Sequence, residues 1–377
     1  MNEFYIGLMS GTSMDGVDGV LVEFSAQAPA LSLNVLAHSH RPFSAALAAE
    51  LLALNTAGGN ELHRAALAAN GVARTYADVT EALLRSSGVP REQVRAIGAH
   101  GQTVRHRPQE FDTTGYTLQL LNAALLAELG GIDVVADLRS RDVAAGGQGA
   151  PLVPAFHREV FGVAGVANAV LNIGGISNLT SLHADGSTTG FDCGPGNALM
   201  DHWCQSHTGR PFDDGGTWAS CGTAITPLLQ QLLSDPYFAA PAPKSTGRDR
   251  FNPAWLAANL QVLTTAGTLR AQDVQATLAE LTAVSCADAV RQHSPDARLL
   301  LVCGGGSFNA HLMGRLTALL PGVDVRPTSA RGLPPIQVES SAFAWLARAF
   351  CRRECGSLAT VTGAVGGRVL GALHPAR

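Results

Sequence analysis

The sequence predicts an α/β protein made of two similar halves, and three observations carry that expectation. The chain has 377 residues, more than one domain of roughly 100–200 residues ordinarily holds. Each half opens alike, with a strand, a glycine-bearing turn and a second strand, at residues 4–24 and again at 170–182. Between and after these hairpins, short apolar runs alternate with apolar residues at helical spacing.

Composition narrows the class. Apolar residues make up 46%, charged residues 15%, and mean hydropathy is +0.14, which suits a folded protein with a large core. The net charge of −4 gives no reason to expect nucleic acid or an anionic membrane surface as partner. Lys244 is the sole lysine, so the other basic residues are arginine. That excludes a Walker A loop and the strand lysine of protein kinases. A lysine Schiff base is possible only at Lys244. Seven cysteines without a Cys-x-x-Cys pair fit reduced thiols in a cytoplasm. Residues 1–10 lack the basic start of a signal peptide, and no apolar run reaches the roughly 18 residues of a membrane helix.

Taken in order, residues 4–9 read as a buried strand, 10–16 as a polar turn and 17–24 as a second strand. Helices follow at 44–54 and 60–84, the latter with Leu62, Ala65, Ala66, Ala69, Ala73, Tyr76 and Leu83 recurring at helical spacing. Strands are expected at 94–99, 117–120 and 132–138, with Asn122 capping a helix that ends at Gly130. Residues 139–154 read as a glycine-rich loop. In the second half, strands 170–173 and 176–182 flank Gly174-Gly175. A strand at 188–192 leads into Gly194-Pro195-Gly196, where Asn197 can cap a helix. Residues 208–222 and 235–252 read as long loops, which in compact enzymes are often functional. A strand at 299–303, Gly304-Gly305-Gly306, a helix at 309–320 and a last helix at 337–351 complete the chain.

Four glycine-bearing segments carry chemistry. In Gly11-Thr12-Ser13-Met14-Asp15-Gly16-Val17-Asp18, backbone amides and two hydroxyls suit phosphate oxygens, and Asp15 and Asp18 suit Mg²⁺. A plain hairpin turn has the same residues. Asn172-Ile173-Gly174-Gly175 is either a second phosphate clamp or a tight turn. Phe191-Asp192-Cys193-Gly194-Pro195-Gly196-Asn197 puts a carboxylate at a strand end before a helix, where a general base belongs. An exposed aspartate, with a pKa of about 3.9, is already ionised there. Cys303-Gly304-Gly305-Gly306-Ser307-Phe308-Asn309 lacks the third glycine of a dinucleotide fingerprint. It suits the adenosine part of a nucleotide, or close packing of helix on strand.

His100, Gln102, Arg105 and His106 form a polar cluster without metal-site spacing. His100 is either a substrate contact or simply hydrogen-bonded. Lys244, beside Arg248, suits an anion. Glu339 opens the last helix, where an acid also favours the helix dipole.

These segments, together with His100-Gly101-Gln102-Thr103 and the run from Ala145 to Pro154, resemble the anhydro-N-acetylmuramic acid kinase family, part of the hexokinase/actin/heat-shock-chaperone ATPase superfamily. The resemblance spans nearly the whole chain. It implies a two-lobed actin-like ATPase (ribonuclease H-like) fold with the active site in the interlobe cleft. The expected lobes are residues 1–138, with 345–377 packing back on them, and 139–344. It also implies ATP and Mg²⁺ as cofactors, with phosphates at Gly11 to Asp18. Asp192 would be the base that activates a water against the anomeric carbon of 1,6-anhydro-N-acetylmuramic acid, and Glu339 would help place that water. The released 6-oxygen would take the γ-phosphoryl group. Nucleotide contacts fall to Gly174, Gly175, Gly304, Gly305, Gly306 and Asn309, and substrate contacts to His100, Gln102, Arg139, Asn172 and Lys244. The family setting is cytoplasmic recycling of cell-wall fragments by a homodimer, with no nucleic acid or membrane partner. Two departures stand out: Cys193 replaces an expected threonine, and Ser340-Ser341 replaces an alanine and an apolar residue. An ordinary sugar kinase or an ATP-gated binding module are the alternatives.

Overall fold

The computed structural model describes residues 2–11, 14–27, 30–242, 244–247, 250–263 and 269–377. Thr12, Ser13 and Arg248 lie outside them. The chain forms two compact units, Met1–Val160 with Gln337–Arg377, and Phe161–Ile336.

In the first unit, β1 (Asn2–Met9) pairs antiparallel with β2 (Gly16–Gln27), and β2 with β3 (Ala30–Pro42). On its other edge β1 pairs parallel with β4 (Val94–Ala99), and β4 with β7 (Val134–Ala136). β13 (Ala372–His374) closes that side antiparallel to β7. A separate hairpin joins β5 (Gln102–Pro108) to β6 (Gly115–Leu120).

Strand alternation sorts the two sheet faces. Ile6, Leu8 and Ile97 enter one core with Val72, Tyr76, Val79 and Leu83 of the helix Glu61–Ser87. Gly7 and Gly98 face the other way, onto the helix Val338–Cys351. A β-carbon at Gly7 would lie 2.5 Å from the Ala344 amide nitrogen, and one at Gly98 2.7 Å from the Phe343 carbonyl carbon. Glycine at both positions lets that helix lie against the strand backbones.

The second unit repeats the order. β8 (Asn168–Ile173), β9 (Ile176–Leu182) and β10 (Thr188–Pro195) form an antiparallel meander. β11 (Leu299–Cys303) pairs parallel with β8, and β12 (Asp324–Pro327) parallel with β11. Each sheet thus reads third, second, first, fourth, fifth strand from one edge. The helix Ala271–His293 packs into the core of the second sheet through Val274, Leu278, Leu281, Cys286 and Val290.

Several elements differ from the sequence expectation. β3 and β5 were not foreseen: β3 is largely half-exposed, and β5 reads Gln-Thr-Val-Arg-His-Arg-Pro, so neither shows a continuous apolar run. Residues 139–154 are not all loop, because Ser140–Val143 and Val153–Phe161 are helical. Within 208–222, Thr217–Ser220 is helical. The unit boundaries fall at 160/161 and 336/337 rather than at 138/139 and 344/345. Residues 139–160 stay with the first unit because Asp142 accepts from Thr362 Oγ1 (2.8 Å) and Gln148 N donates to the Thr362 carbonyl (2.8 Å).

Candidate active site

In the first unit, the β1–β2 turn is tied down from several sides. Met14 N donates to the Gly11 carbonyl (3.2 Å), and Met14 itself has φ +56°. Ser10 Oγ donates to the Gly101 carbonyl (2.9 Å) and lies 3.0 Å from the buried Tyr76 hydroxyl. Gln102 Nε2 donates to the Gly11 carbonyl (3.0 Å), while its buried Oε1 has no partner among the described residues.

His100 has both ring nitrogens engaged. Nδ1 lies 3.0 Å from the Ser10 carbonyl, which only accepts, so Nδ1 carries the proton. Nε2 accepts from Arg139 Nε (3.1 Å) and Nη2 (2.9 Å). Burial, reinforced by the Arg139 charge, pushes the imidazole down to about 3, so the ring is neutral at physiological pH. His100 and Gln102 are therefore braces of the β1–β2 turn in this structure. Arg139 also donates to the Gly149 carbonyl (2.8 Å). Burial pulls its guanidinium down to about 10, against the opposing charges of Glu339 and Asp142. Glu339 lies in the first turn of the helix Val338–Cys351, in reach of the Arg139 charge.

The two magnesium candidates differ. Asp15 is exposed just before β2. Asp18 Oδ1 is shared by His38 Nε2 and His40 Nδ1, each at 3.2 Å. Among the described residues no cluster of three or more His, Cys, Asp or Glu side chains is set to hold a metal. This donor set fits a Mg²⁺ that keeps water and phosphate ligands and takes one carboxylate from the protein.

In the second unit, Asp192 sits on β10 at a bulge: it pairs with Asn178, but the next residue in register with β9 is Gly194. Phe191 and Cys193 enter the core, and Cys193 is hydrogen-bonded to Cys286. The Asp192 carboxyl is half-buried. Oδ2 accepts from the Thr246 amide (3.0 Å). Burial dominates and raises the carboxyl to about 7, with the Thr246 bond opposing it. This corrects the exposed-aspartate picture, in which the group would be a weak base; here its basicity is matched to neutral pH.

The glycine turns pack closely. The Gly174 carbonyl accepts from Asn197 N (2.7 Å), and the Gly175 carbonyl from Gly196 N (3.0 Å) and Ala198 N (3.3 Å). Asn197 does not cap its helix. It is the first helical residue, and its Nδ2 donates to the Ile173 carbonyl (3.1 Å). Gly304 has φ +78°, and a β-carbon there would lie 2.6 Å from the Ile173 carbonyl oxygen and strike the Asn172 side chain. That links Asn172 to the glycine run. Gly305 and Phe308 are exposed beside it. Asn309 Oδ1 caps the next helix by accepting from Leu312 N (3.0 Å).

Lys244 is bound within its own loop. Nζ donates to the carbonyls of Tyr237 (3.0 Å) and Phe238 (3.2 Å) and lies 4.8 Å from the centre of the Tyr237 ring. Sequence reasoning missed Tyr237, whose hydroxyl donates to the Asp192 carbonyl (2.6 Å), and Thr246. The length of the 235–252 loop was the only signal.

The two sheets share the order third, second, first, fourth, fifth strand, with β13 added at the edge of the first; one carries a braced glycine turn and the other a carboxylate at a bulge within β10. A family model described as anhydro-N-acetylmuramic acid kinase matches residues 3–376, and the chain belongs to that family. A curated relative from Variovorax paradoxus, named anhydro-N-acetylmuramic acid kinase, is 63% identical and covers 99% of both chains. Relatives of the same name from Albidiferax ferrireducens and Cupriavidus metallidurans are each 57% identical, covering 100% of both chains in the first case and 99% and 98% in the second. Among solved structures, the activator of the 2-hydroxyisocaproyl-CoA dehydratase from Clostridium difficile aligns at 11% identity with a TM-score of 0.46, over 90% of this chain and 92% of that one.

Proposed function

We infer that this chain is an ATP-dependent kinase that opens the 1,6-anhydro ring of 1,6-anhydro-N-acetylmuramic acid and phosphorylates the 6-oxygen. The products are N-acetylmuramic acid 6-phosphate and ADP, in peptidoglycan recycling and amino-sugar catabolism. The family match across residues 3–376 carries this reading.

Asp192 is assigned as the base, supported by a carboxyl held near neutrality. It takes a proton from water as the water oxygen bonds to the anomeric carbon. The bond from that carbon to the 6-oxygen breaks, and the electron pair goes to the oxygen. That oxygen bonds to the γ-phosphorus while the bond to ADP breaks. Glu339 orients the water. The β1–β2 turn, residues 11–18, receives the phosphates, and Gly304 to Asn309 receive the adenosine, next to exposed Gly305 and Phe308. Arg139 is the substrate-facing cation, supported by its neutral His100 brace. Asp15 and Asp18 are the residues that would hold Mg²⁺, which would supply neutralisation of phosphate charge.

We assign the protein to the cytoplasm as a homodimer. All seven cysteines are free, and among the described residues no helix is long and apolar enough to cross a membrane.

The test is ADP release with Mg-ATP in ¹⁸O-labelled water, comparing the anhydro-sugar with N-acetylmuramic acid and N-acetylglucosamine. Turnover of the anhydro-sugar with label in the sugar product supports coupled opening and transfer. Preference for an open sugar without label makes it an ordinary sugar kinase.

A further inference from the structure

We propose that the loop 235–247 is a clasp that orients the Asp192 carboxylate, with Tyr237 and Thr246 as positioning residues and Lys244 as the rivet that holds Tyr237. The inference rests on the reading of Asp192 as the base.

β10 is an edge strand, so the outward N–H and C=O of Asp192 would otherwise face solvent. One loop meets both. Asp192 N donates to the Lys244 carbonyl (3.1 Å), and the Tyr237 hydroxyl donates to the Asp192 carbonyl (2.6 Å). The same loop then leaves the backbone and reaches the side chain, where the Thr246 amide donates to Oδ2 (3.0 Å). Three of the four polar atoms of Asp192 are thus held by one segment. Among the described residues Oδ1 has no protein partner, which marks it as the oxygen that accepts the proton. Capping an edge strand requires only the two backbone bonds; the bond to Oδ2 fixes which way the carboxylate turns.

Lys244 completes the device. Its two bonds to the Tyr237 and Phe238 carbonyls close the loop on itself and place the cation against the Tyr237 ring, so the hydroxyl stays aimed at Asp192. The sole lysine then acts on the base through Tyr237, without touching a substrate anion. The other ionisable groups around the site are Cys193 and Tyr237, both raised by their surroundings and so neutral, then Cys286, which is bonded to Cys193, His293 against Phe191, and Arg250, which lies 5.6 Å from the centre of the Tyr237 ring and is paired with Asp235.

The test uses the full chain with Tyr237→Phe, Lys244→Met, Thr246→Pro and Thr246→Val. Steady-state kinetics with Mg-ATP and the anhydro-sugar are measured from pH 5 to 9. In parallel, thermal unfolding of each protein with and without Asp192→Asn reports the titration of Asp192 without needing turnover. Tyr237→Phe and Lys244→Met are expected to lower kcat about tenfold to a hundredfold with both KM values changed less than threefold. Thr246→Pro, which removes the N–H that favours the ionised carboxylate, moves the Asp192 midpoint upward by about half a pH unit or more. Thr246→Val keeps the amide and leaves that midpoint in place. A kcat within twofold of wild type in both Tyr237→Phe and Lys244→Met would overturn the clasp. So would a tenfold rise in sugar KM with kcat intact, which would put Lys244 on the substrate. If Thr246→Pro does not fold, the Tyr237→Phe result decides. If the wild type fails to turn over the anhydro-sugar, the functional reading fails. The unfolding titration then judges the clasp alone, and an unmoved midpoint in Thr246→Pro refutes it.

Discussion

Replacing Asp192 by asparagine changes stability and rate in opposite directions, and the structure sets the size of both. The carboxyl titrates from 3.8 in the unfolded chain to about 7 in the folded protein, chiefly because it is buried. The folded state therefore holds a proton that the unfolded chain releases, and stability falls as pH rises through that window. At about 1.4 kcal/mol per unit, three units amount to about 4 kcal/mol, a ceiling that solvent access to the half-buried group lowers. The amide that replaces the carboxyl cannot ionise. Wild type and variant should be equally stable near pH 4, and the variant should gain up to about 4 kcal/mol by pH 8. In a domain of this size that is roughly 8 °C or more in Tm. Activity moves the other way. Only the ionised carboxylate accepts a proton, so wild-type kcat/KM should climb about tenfold per unit up to about pH 7 and then level. Asp192→Asn should lose several orders of magnitude throughout while still binding ATP and sugar. Thermal melts at pH 4.5, 6 and 8, paired with a pH–rate profile, test both. A stability gap that stays constant with pH would refute the burial argument, and near-wild-type turnover would refute the role of base.

Three further outcomes follow from the same geometry. Gly98→Ala pushes a β-carbon into the Phe343 carbonyl of a helix that has no side chain there to yield. It should cost about 3 kcal/mol, the upper end for overpacking, as read by urea unfolding; a loss under 1 kcal/mol would mean the helix slides freely. His100 should remain neutral with its proton on Nδ1 from pH 5 to 8, as its burial and the Arg139 bonds require. A ¹⁵N imidazole spectrum showing titration near pH 6.5 would contradict this. Chelating Mg²⁺ with EDTA should abolish turnover yet leave Tm within about 1 °C, because the described residues provide no multidentate metal cluster. A large drop in Tm would instead indicate a structural ion.

The strand–turn–strand openings, β4 and β11 are readable from local pattern, and β4, β9 and β11 fall on the residues expected. Their side chains form short apolar runs bounded by glycine, a signal that needs no distant partner. β3 and β5 escaped because their stability comes from pairing with β2 and β6, which a polar or half-exposed strand does not advertise. The glycine turns were legible as special, but their use was not. Gly174 and Gly175 give carbonyls to a helix start, and Gly304 makes room beside Asn172 and Ile173; a list of glycines reads the same in either case.

The chain's own order of residues determined the duplicated α/β plan, the glycine-bearing turn after β1 and Asp192 as a carboxylate on a strand, because each depends on neighbours within a few positions; that β10 runs on past Asp192 to Pro195 through a bulge was not legible. Tertiary structure alone decided the state of those groups. His100 became a neutral brace only when Arg139, 39 residues away, met its ring. Asp192 acquired its raised pKa only through burial in the folded unit, and its bonds to Tyr237 and Thr246, 45 and 54 residues on, only when that loop met β10. Protonation and aim depend on what excludes water and which donors arrive, and chain closure over such distances is set by the whole core rather than by any local pattern.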